Sequence, residues 1–387
     1  MTDKLPWLAL KCIPGVGPVL FQRLLARFGT PAAVFQARCE DVLGIKGVNR
    51  DLARDILGFR AWDRVEAELA KMAKEGVEVL LQTDPRFPAR LKQIPYAPPL
   101  LFLKGTLLPQ DDLALAVVGT RAASYYGLKT CRRLAGALAV RGVTVVSGLA
   151  RGIDTAAHQG AMENSGRTLA VLGCGLDVVY PPENQKLYVQ IPAQGALISE
   201  FPLGTPPEAK NFPIRNRIIS GLSLGVVVVE AGLKSGTGIT VRYALDQGRE
   251  VFAVPGPIDS PTSLGPHRLI QDGAKLVQDP EDIFSELPGL AKGKGQRPLF
   301  GAPGRVKETP AAGGGGPTPA TIPPAAPPFS PTPEDPLLAL LGSDPLPLEE
   351  IVRTTRLATS EVLSRLTILE LEGLIRELPG KRYVLEN

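Results

Sequence analysis

Cationic side chains and glycine turns follow several apolar runs of this chain. The segment AVVGTRAASYYG, residues 116–127, joins an apolar run to a helical pattern through a turn that contains Gly119, Thr120 and Arg121. A strand, a glycine turn and a helix start are the local structure with which many nucleotide-binding folds hold phosphate. A dinucleotide site keeps bare backbone at this turn, whereas here an arginine stands in it. The turn therefore holds either a small cofactor or the phosphates of a larger anion.

Three further segments combine the same residue types. They are SGLARGIDTAAH (147–158), which begins with Ser147 and Gly148; KNFPIRNRIISG (210–221), which contains Lys210, Phe212, Arg215, Asn216 and Arg217; and SGTGITVRYALDQGR (235–249), which ends in Arg249. Helix N-termini and cations on one sheet edge would form a row of anion sites, and an aromatic ring could stack on a base. Such an arrangement suits single-stranded nucleic acid bound with low sequence specificity.

A structural role for the same arginines remains open at this stage. The two arginines of PIRNR could instead form buried ion pairs with Glu200 or Glu230, the two glutamates that follow apolar runs. His158 is expected to be a hydrogen-bonded helix residue rather than a catalytic base. Gly119 and Gly148 could be plain turn residues between a strand and a helix.

An enzyme is the alternative reading. The motifs G-x-G-x-x-G (at the first turn), G-x-x-x-x-G-K-[ST], H-E-x-x-H and C-x-x-C are absent from the sequence. Asp154, Asp177, Glu200 and Glu230 could gather Mg²⁺ at the sheet edge, which would make a nuclease or nucleotide hydrolase. The missing motifs favour a binding protein, and we predict no cofactor, no metal site and no catalytic residues.

The elements that must position these residues follow from the hydrophobic pattern. Between residues 76 and 290, short Val- and Leu-rich runs alternate with amphipathic helical patterns. Near-continuous apolar runs indicate strands buried on both faces, so we predict an α/β domain with an extended Rossmann-like, doubly wound and mostly parallel sheet. The carboxyl ends of its strands share one edge, where ligands bind in this architecture.

Two smaller modules flank this domain. Residues 1–75 read as helices with a repeated turn, IPGVG and IKGVN, which is typical of a helix-hairpin-helix or SAM-like domain. Residues 291–333 are rich in Pro and Gly and are predicted to be a disordered linker. Residues 334–387 give three helices and a short basic hairpin, the pattern of a winged helix.

Charge and composition limit the partners. Residues 1–75 hold 12 Lys and Arg against 9 Asp and Glu, whereas residues 334–387 hold 6 against 10. The acidic winged helix is therefore expected to contact protein or to regulate, with DNA binding as the alternative. The four cysteines are scattered, and neither a signal peptide nor an apolar run of about 18 residues is evident, so we expect a cytoplasmic protein without a membrane segment.

Several long motifs, in order, give the chain a family resemblance. They are VVGTR, SGLARGIDTAAH, TLAVLGCGLDVVYPPEN, FPIRNRIISGLS, VVEAGLKSGTGITVRYALDQGREVFAVPG and SLGPHRLIQDGAKLV, spread over residues 113–278. With them the chain resembles the DNA-processing protein A (DprA, or Smf) family. The resemblance implies a protein that is not an enzyme and that mediates recombination. Such a protein binds incoming single-stranded DNA, protects it and loads the recombinase RecA onto it during natural transformation.

The resemblance also assigns roles to particular residues. The family's basic strand-end residue falls on Arg121, its basic residue before FPxRNR near Lys210, its aromatic position on Phe212 and its basic residue before the last buried strand on Arg249. It implies a homodimer through the late part of the Rossmann-like domain, with the apolar pair Leu269 and Ile270 placed at the dimer and recombinase contacts. Two positions depart from the pattern: Glu183 replaces a lysine that some members carry, and His267 stands where asparagine is frequent.

Overall fold

The computed structural model describes residues 4–287, 336–341, 345–355, 357, 359–371, 374–378 and 381–385. The predicted linker, residues 291–333, lies outside the described residues.

Six helices precede the first strand. They are α1 (Lys4–Lys11), α2 (Pro18–Phe28), α3 (Pro31–Phe35), α4 (Cys39–Leu43), α5 (Arg50–Leu57) and α6 (Trp62–Lys74). The two copies of the repeated turn lie between α1 and α2 and between α4 and α5. Gly15 and Gly47 have φ of 89° and 94° there, a conformation that favours glycine. The apolar faces of these helices pack together and against one face of the sheet described next.

Nine strands form one sheet, in the order β1-β2-β6-β5-β4-β3-β7-β8-β9. Their bounds are β1 Glu78–Leu81, β2 Leu100–Gly105, β3 Ala114–Val118, β4 Thr144–Ser147, β5 Thr168–Leu172, β6 Gly195–Ser199, β7 Gly225–Val228, β8 Glu250–Ala253 and β9 Lys275–Leu276. From β6 to β9 all neighbours pair in parallel, and β2 is antiparallel to both β1 and β6. This confirms the predicted extended Rossmann-like sheet.

Helices cover both faces of the sheet. They are α7 (Ala89–Lys92), α8 (Tyr125–Val140), α9 (Ile153–Glu163), α10 (Gln185–Gln194), α11 (Asn211–Gly221), α12 (Thr237–Asp246), α13 (Leu264–Gln271) and α14 (Pro280–Glu286), with 3₁₀ turns at Pro109–Asp112 and Pro182–Asn184. Residues of α8 and α9 pack on one face, and residues of α11 and α12 pack on the other. The chain order reverses direction between β3 and β7, so the crevice expected to bind ligands opens at the carboxyl ends of these two strands.

The C-terminal module has the predicted winged-helix elements. Its helices are α15 (Pro336–Leu340), α16 (Leu348–Thr355) and α17 (Thr359–Leu371), and its strands are β10 (Leu346–Pro347), β11 (Ile375–Leu378) and β12 (Arg382–Leu385). The strands pair antiparallel in the order β10-β12-β11 around an apolar core of their own.

Candidate nucleic-acid interface

The turn after β3 lies at the reversal point of the sheet. The backbone N–H of Thr120 donates to the carbonyl oxygen of Glu230, which follows β7, at 2.7 Å. A Cβ added to Gly119 would lie 2.6 Å from Ile153 Cγ1 and 2.7 Å from that same Glu230 oxygen. The glycine is therefore required by the close approach of strand and helix, and the exposed Arg121 side chain is the part of the turn that faces solvent.

Aromatic and cationic groups stack beside this turn. The guanidinium carbon of Arg121 lies 5.0 Å from the centroid of the Phe212 ring, and that of Arg215 lies 5.8 Å from it. The ring of Tyr180 is 5.6 Å away, centroid to centroid, at an angle of 43°. Two cations thus contact one aromatic ring, a geometry with a favourable electrostatic component. Arginine planes and aromatic rings are also the groups on which unpaired bases stack.

Arg215 is the buried member of this cluster, at 3% exposure. Its Nη1 donates to the carbonyl oxygen of Gly148 at 2.7 Å and also to that of Val171. Burial lowers the pKa of Arg215 to about 10; Asp154 opposes this shift, and the positive charge of Arg121 adds to it. At this value the guanidinium stays charged at neutral pH, so it adds a positive potential beneath Phe212.

The carboxylate of Asp154, which interacts electrostatically with Arg215, has a structural role. Asp154 Oδ2 accepts from the backbone N–H groups of Gly148 at 3.1 Å and Ala150 at 3.4 Å. Burial raises the pKa of Asp154, while Arg215 and these hydrogen bonds act in the opposite direction. Ser147, predicted as a DNA contact, is fully buried and donates from Oγ to Val117 O at 2.7 Å. A Cβ on Gly148 would come within 2.5 Å of Arg215 Nη2, so this glycine makes room for the arginine.

A groove with a volume of about 920 Å³ runs past these groups. Its core side is formed by the turn after β3, the start of α11 and the glycine turn before α12, and the opposite side is formed by α17. Of the predicted contacts it contains Gly119, Thr120, Arg121, Phe212, Arg215 and Asn216. Lys210 stands just before α11, is exposed and forms an ion pair with Glu208 at 3.2 Å.

Arg217 is separated from the groove. It is 1% exposed, and its Nη2 donates to the carboxylate of Glu200, which is 2% exposed. Lys11 Nζ from α1 reaches the same carboxylate at 3.3 Å. The alternative of a buried ion pair with Glu200 therefore describes Arg217, whereas Arg215 bonds to backbone carbonyls.

Arg249 lies at the opposite edge of the sheet. It precedes β8, so it stands at the amino end of a parallel strand, and its Nη2 donates to Arg90 O at 3.4 Å. Burial lowers the pKa of Arg249, and the positive charge of Arg90 acts in the same direction. The prediction that Arg249 shares an edge with Arg121 is wrong, because strand polarity places residues before and after a parallel strand at opposite edges.

Sequence reasoning missed several groups of the groove. Lys234 and Arg242 flank the SGTG turn and line the groove, as does Tyr180. The position of Lys234 directly before a glycine turn at a helix start was a usable signal. Glu183 forms an ion pair with Arg151 at 2.6 Å. A hydrogen bond with its own backbone and, after it, the hydrogen bond from Arg151 lower the pKa of Glu183.

The residues of the enzyme alternative do not converge. Asp154 bonds to a backbone turn, Glu200 to Arg217, Glu230 to Ser124 and Asp177 to the N–H of Gly204. Within the described ranges no three His, Cys, Asp or Glu side chains form a cluster that could hold a metal ion. His158 is fully buried with Nδ1 2.7 Å from Thr168 Oγ1, and burial lowers its pKa to about 3, so it is a neutral structural residue.

Leu269 and Ile270 lie away from the groove. Both are half-buried on α13, and Leu269 packs against the core, so their predicted dimer and recombinase contacts stay predictions.

Over the part of the chain that the structure describes, no helix has both the length and the apolar character to cross a bilayer.

The fold is a Rossmann-like sheet with a cation–aromatic groove at its carboxyl edge, flanked by a helical module and a winged-helix module. The chain belongs to the family described as DNA recombination-mediator protein A, whose profile matches residues 78–288. The profile of the DprA winged helix domain matches residues 320–381.

Individual relatives cover most of the chain. Protein Smf of Synechocystis sp. is 37% identical over 390 residues, which span 97% of each chain. Protein Smf of Escherichia coli is 42% identical over 317 residues, 82% of this chain and 79% of its own. The X-ray structure of DNA processing protein A (DprA) from Streptococcus pneumoniae has a TM-score of 0.67 at 36% identity, over 73% of this chain and 97% of that one.

Proposed function

We propose that the groove binds single-stranded DNA and that the protein is a recombination mediator. In this role it protects incoming single strands and loads a RecA-type recombinase onto them during natural transformation. The observation that carries the binding step is the stack of Arg121, Phe212 and Arg215 at the carboxyl edge of the sheet. Membership of the recombination-mediator family supports the wider role.

The chemistry of the groove favours a single strand over a duplex. Phe212 and Tyr180 offer ring faces, which only unpaired bases can use because duplex bases already stack on each other. Arg121, Lys234 and Arg242 supply cations along the same groove. These groups bind phosphates and ring faces, neither of which carries sequence information, so binding is expected to tolerate most sequences.

The remaining parts of the proposal extend the family resemblance. The protein acts in the cytoplasm as a homodimer through the late part of the Rossmann-like domain, with Leu269 and Ile270 near that contact. It needs no cofactor and catalyses no reaction. The separate hydrogen-bonding partners of Asp154, Asp177, Glu200 and Glu230 support this reading over a hydrolase.

A titration of matched single- and double-stranded DNA, with mass measurement of the complexes, tests the binding step and the oligomeric state together. We expect tighter binding to the single strand and a logarithmic salt slope of several units, at about −0.7 for each phosphate neutralised. Equal affinity for both polymers, or a flat salt dependence, would contradict the proposed groove. Incubation with Mg²⁺ and DNA, with Glu230→Gln as the control, tests the hydrolase alternative.

Replacing Phe212 with alanine is expected to weaken single-strand binding by about 1–3 kcal/mol, because one stacking surface is lost. The salt slope should stay unchanged, since no cation is removed. Phe212→Tyr keeps the ring and serves as the matched control, with affinity close to that of the parent. A reduced slope in Phe212→Ala would show that the ring acts by positioning Arg121 instead of by stacking.

A further inference from the structure

The acidic winged-helix module forms one side of the groove, and the proposed binding of single-stranded DNA leaves this contact unexplained. Five residues of α17 line the groove: Glu361, Leu363, Ser364, Arg365 and Ile368. They face core residues of the start of α11 and the turn before α12, among them Phe212 and Leu233. In DNA-reading proteins of this architecture the recognition helix enters the major groove, whereas here the third helix faces the protein's own anion-binding surface.

The module is acidic overall and places carboxylates near cations of the core. Residues 334–387 hold 10 Asp and Glu against 6 Lys and Arg. Glu361 lies in the groove that also contains Arg121, Lys234 and Arg242, and it accepts from Arg365 of its own helix at 3.0 Å. Burial alone would lower the pKa of Lys210, yet the carboxylates of Glu208, Glu377 and Glu370 raise it, and the last two belong to the winged helix. Two carboxylates of the module thus lie close enough to Lys210 to favour its charged form.

Apolar contact adds to this complementarity. Ile368 and Leu363 are half-buried on the face of α17 that lines the groove, opposite Leu233 and Ile239 of the core. Leu233 is 65% exposed even with the module in place, so the contact is loose. A loose contact that combines charged and apolar groups allows the module to dissociate from the groove.

We propose that the winged-helix module is an intramolecular occupant of the single-strand groove, which DNA must displace in order to bind. This inference rests on the proposed function of the groove. The module and the core are connected by 48 residues, 288–335, so the module returns to the groove as an intramolecular partner. For a tethered module an effective concentration on the order of 1 mM applies, at which a contact with an intrinsic Kd of about 0.1 mM is closed about tenfold over open.

Docking of the module in the groove therefore lowers the apparent affinity of the protein for DNA. If the closed form dominates about tenfold, the apparent Kd for single-stranded DNA is raised about tenfold over that of the open groove. Sparse or short strands would then compete poorly with the module, whereas a long strand that contacts both groove and neighbouring surface would displace it.

The variant Ile368→Asp in the full chain tests the proposal, because the two alternatives predict opposite changes in its affinity for single-stranded DNA. The variant places a new anion beside a surface that binds a polyanion. If the module does not compete with DNA, the variant is therefore expected to bind DNA more weakly than the parent or equally well. Displacement predicts the opposite: loss of the apolar contact releases the groove, and single-strand affinity rises about three- to tenfold. Thr354→Asp is the matched control, because Thr354 is exposed on α16 outside the groove and receives the same charge.

A second measurement keeps the proposal testable where Ile368→Asp alters the folding of the module. Glu361→Gln leaves the apolar contact intact and is expected to raise affinity by a smaller factor. Small-angle scattering of the full chain should show a larger maximum dimension when DNA is bound, and also for Ile368→Asp without DNA. Unchanged affinity in both variants, or unchanged dimensions on DNA binding, would overturn the proposal.

These outcomes separate the two proposals. If the parent and both variants fail to bind single-stranded DNA, the proposed function is wrong, and the scattering comparison still reports whether the module is docked. If the parent binds and neither variant binds more tightly, only the displacement by DNA is wrong.

Discussion

Arg121→Glu is expected to weaken single-stranded DNA binding about 100-fold, which corresponds to about 2.7 kcal/mol. The substitution removes a charge-assisted phosphate contact, worth about 1.5–3 kcal/mol, and adds a repulsive carboxylate at the same place. Arg121 is exposed, and its guanidinium stands over the Phe212 ring. The folded state therefore loses little when the side chain changes.

Three variants make this prediction specific. Arg121→Gln removes the cation without adding an anion and should lower the logarithmic salt slope by about 0.7. Lys92→Glu is the matched control, since Lys92 is exposed on α7, away from the groove, and carries the same charge reversal. Circular dichroism and thermal unfolding of all three should match the parent. An Arg121→Glu protein that is folded and binds DNA as the parent does would rule out this groove as the binding site.

The sheet could be predicted from the sequence because its signal is local. Val- and Leu-rich runs such as Ala114–Val118 and Gly225–Val228 are buried on both faces, and such runs are typical of parallel strands. The position of Arg121 could be predicted for the same reason, since the residue after a strand stands at the carboxyl edge wherever that strand lies in the sheet.

Arg249 shows how an available signal was misused. It precedes the strand Glu250–Ala253, so strand polarity alone places it at the amino edge. The family resemblance and the positive charge of Arg249 instead led to its prediction as a DNA-binding residue at the carboxyl edge. A rule that sorts each candidate by whether it precedes or follows its strand would have corrected this placement without a structure.

The different fates of Arg215 and Arg217 could not be predicted locally. They stand two residues apart on one helix, and both are buried. What separates them is long-range: Arg215 meets carbonyl groups of Gly148 and Val171, whereas Arg217 meets Glu200. The placement of α17 was equally invisible, because the sequence between the two modules specifies no distance or orientation.

Glu200→Gln is expected to lower the free energy of unfolding by about 3–5 kcal/mol, because it leaves a buried guanidinium without its counter-ion. Arg217 and Glu200 are 1% and 2% exposed, and in the described part of the chain Arg217 Nε and Nη1 have no hydrogen-bond partner. The same carboxylate accepts from Lys11 of the helical domain, so the loss also weakens the contact between that domain and the sheet. Urea unfolding of the parent and the variant at neutral pH measures the difference.

The double variant Glu200→Leu/Arg217→Met separates the ion pair from its burial. Replacing both partners by apolar groups removes the desolvation cost together with the attraction, so most of the lost stability should return.

Burial alone would raise the pKa of Glu200, yet Arg217 and Lys11 lower it below its ordinary value of 4.5. A carboxyl with a lowered folded-state pKa stabilises the fold above its unfolded pKa and loses that contribution as the pH falls through the folded pKa. The parent should therefore lose stability below about pH 4.5 more steeply than the double variant, while both bind single-stranded DNA alike at neutral pH, because Arg217 lies outside the groove. A double variant that folds stably and binds DNA weakly would return Arg217 to the binding surface.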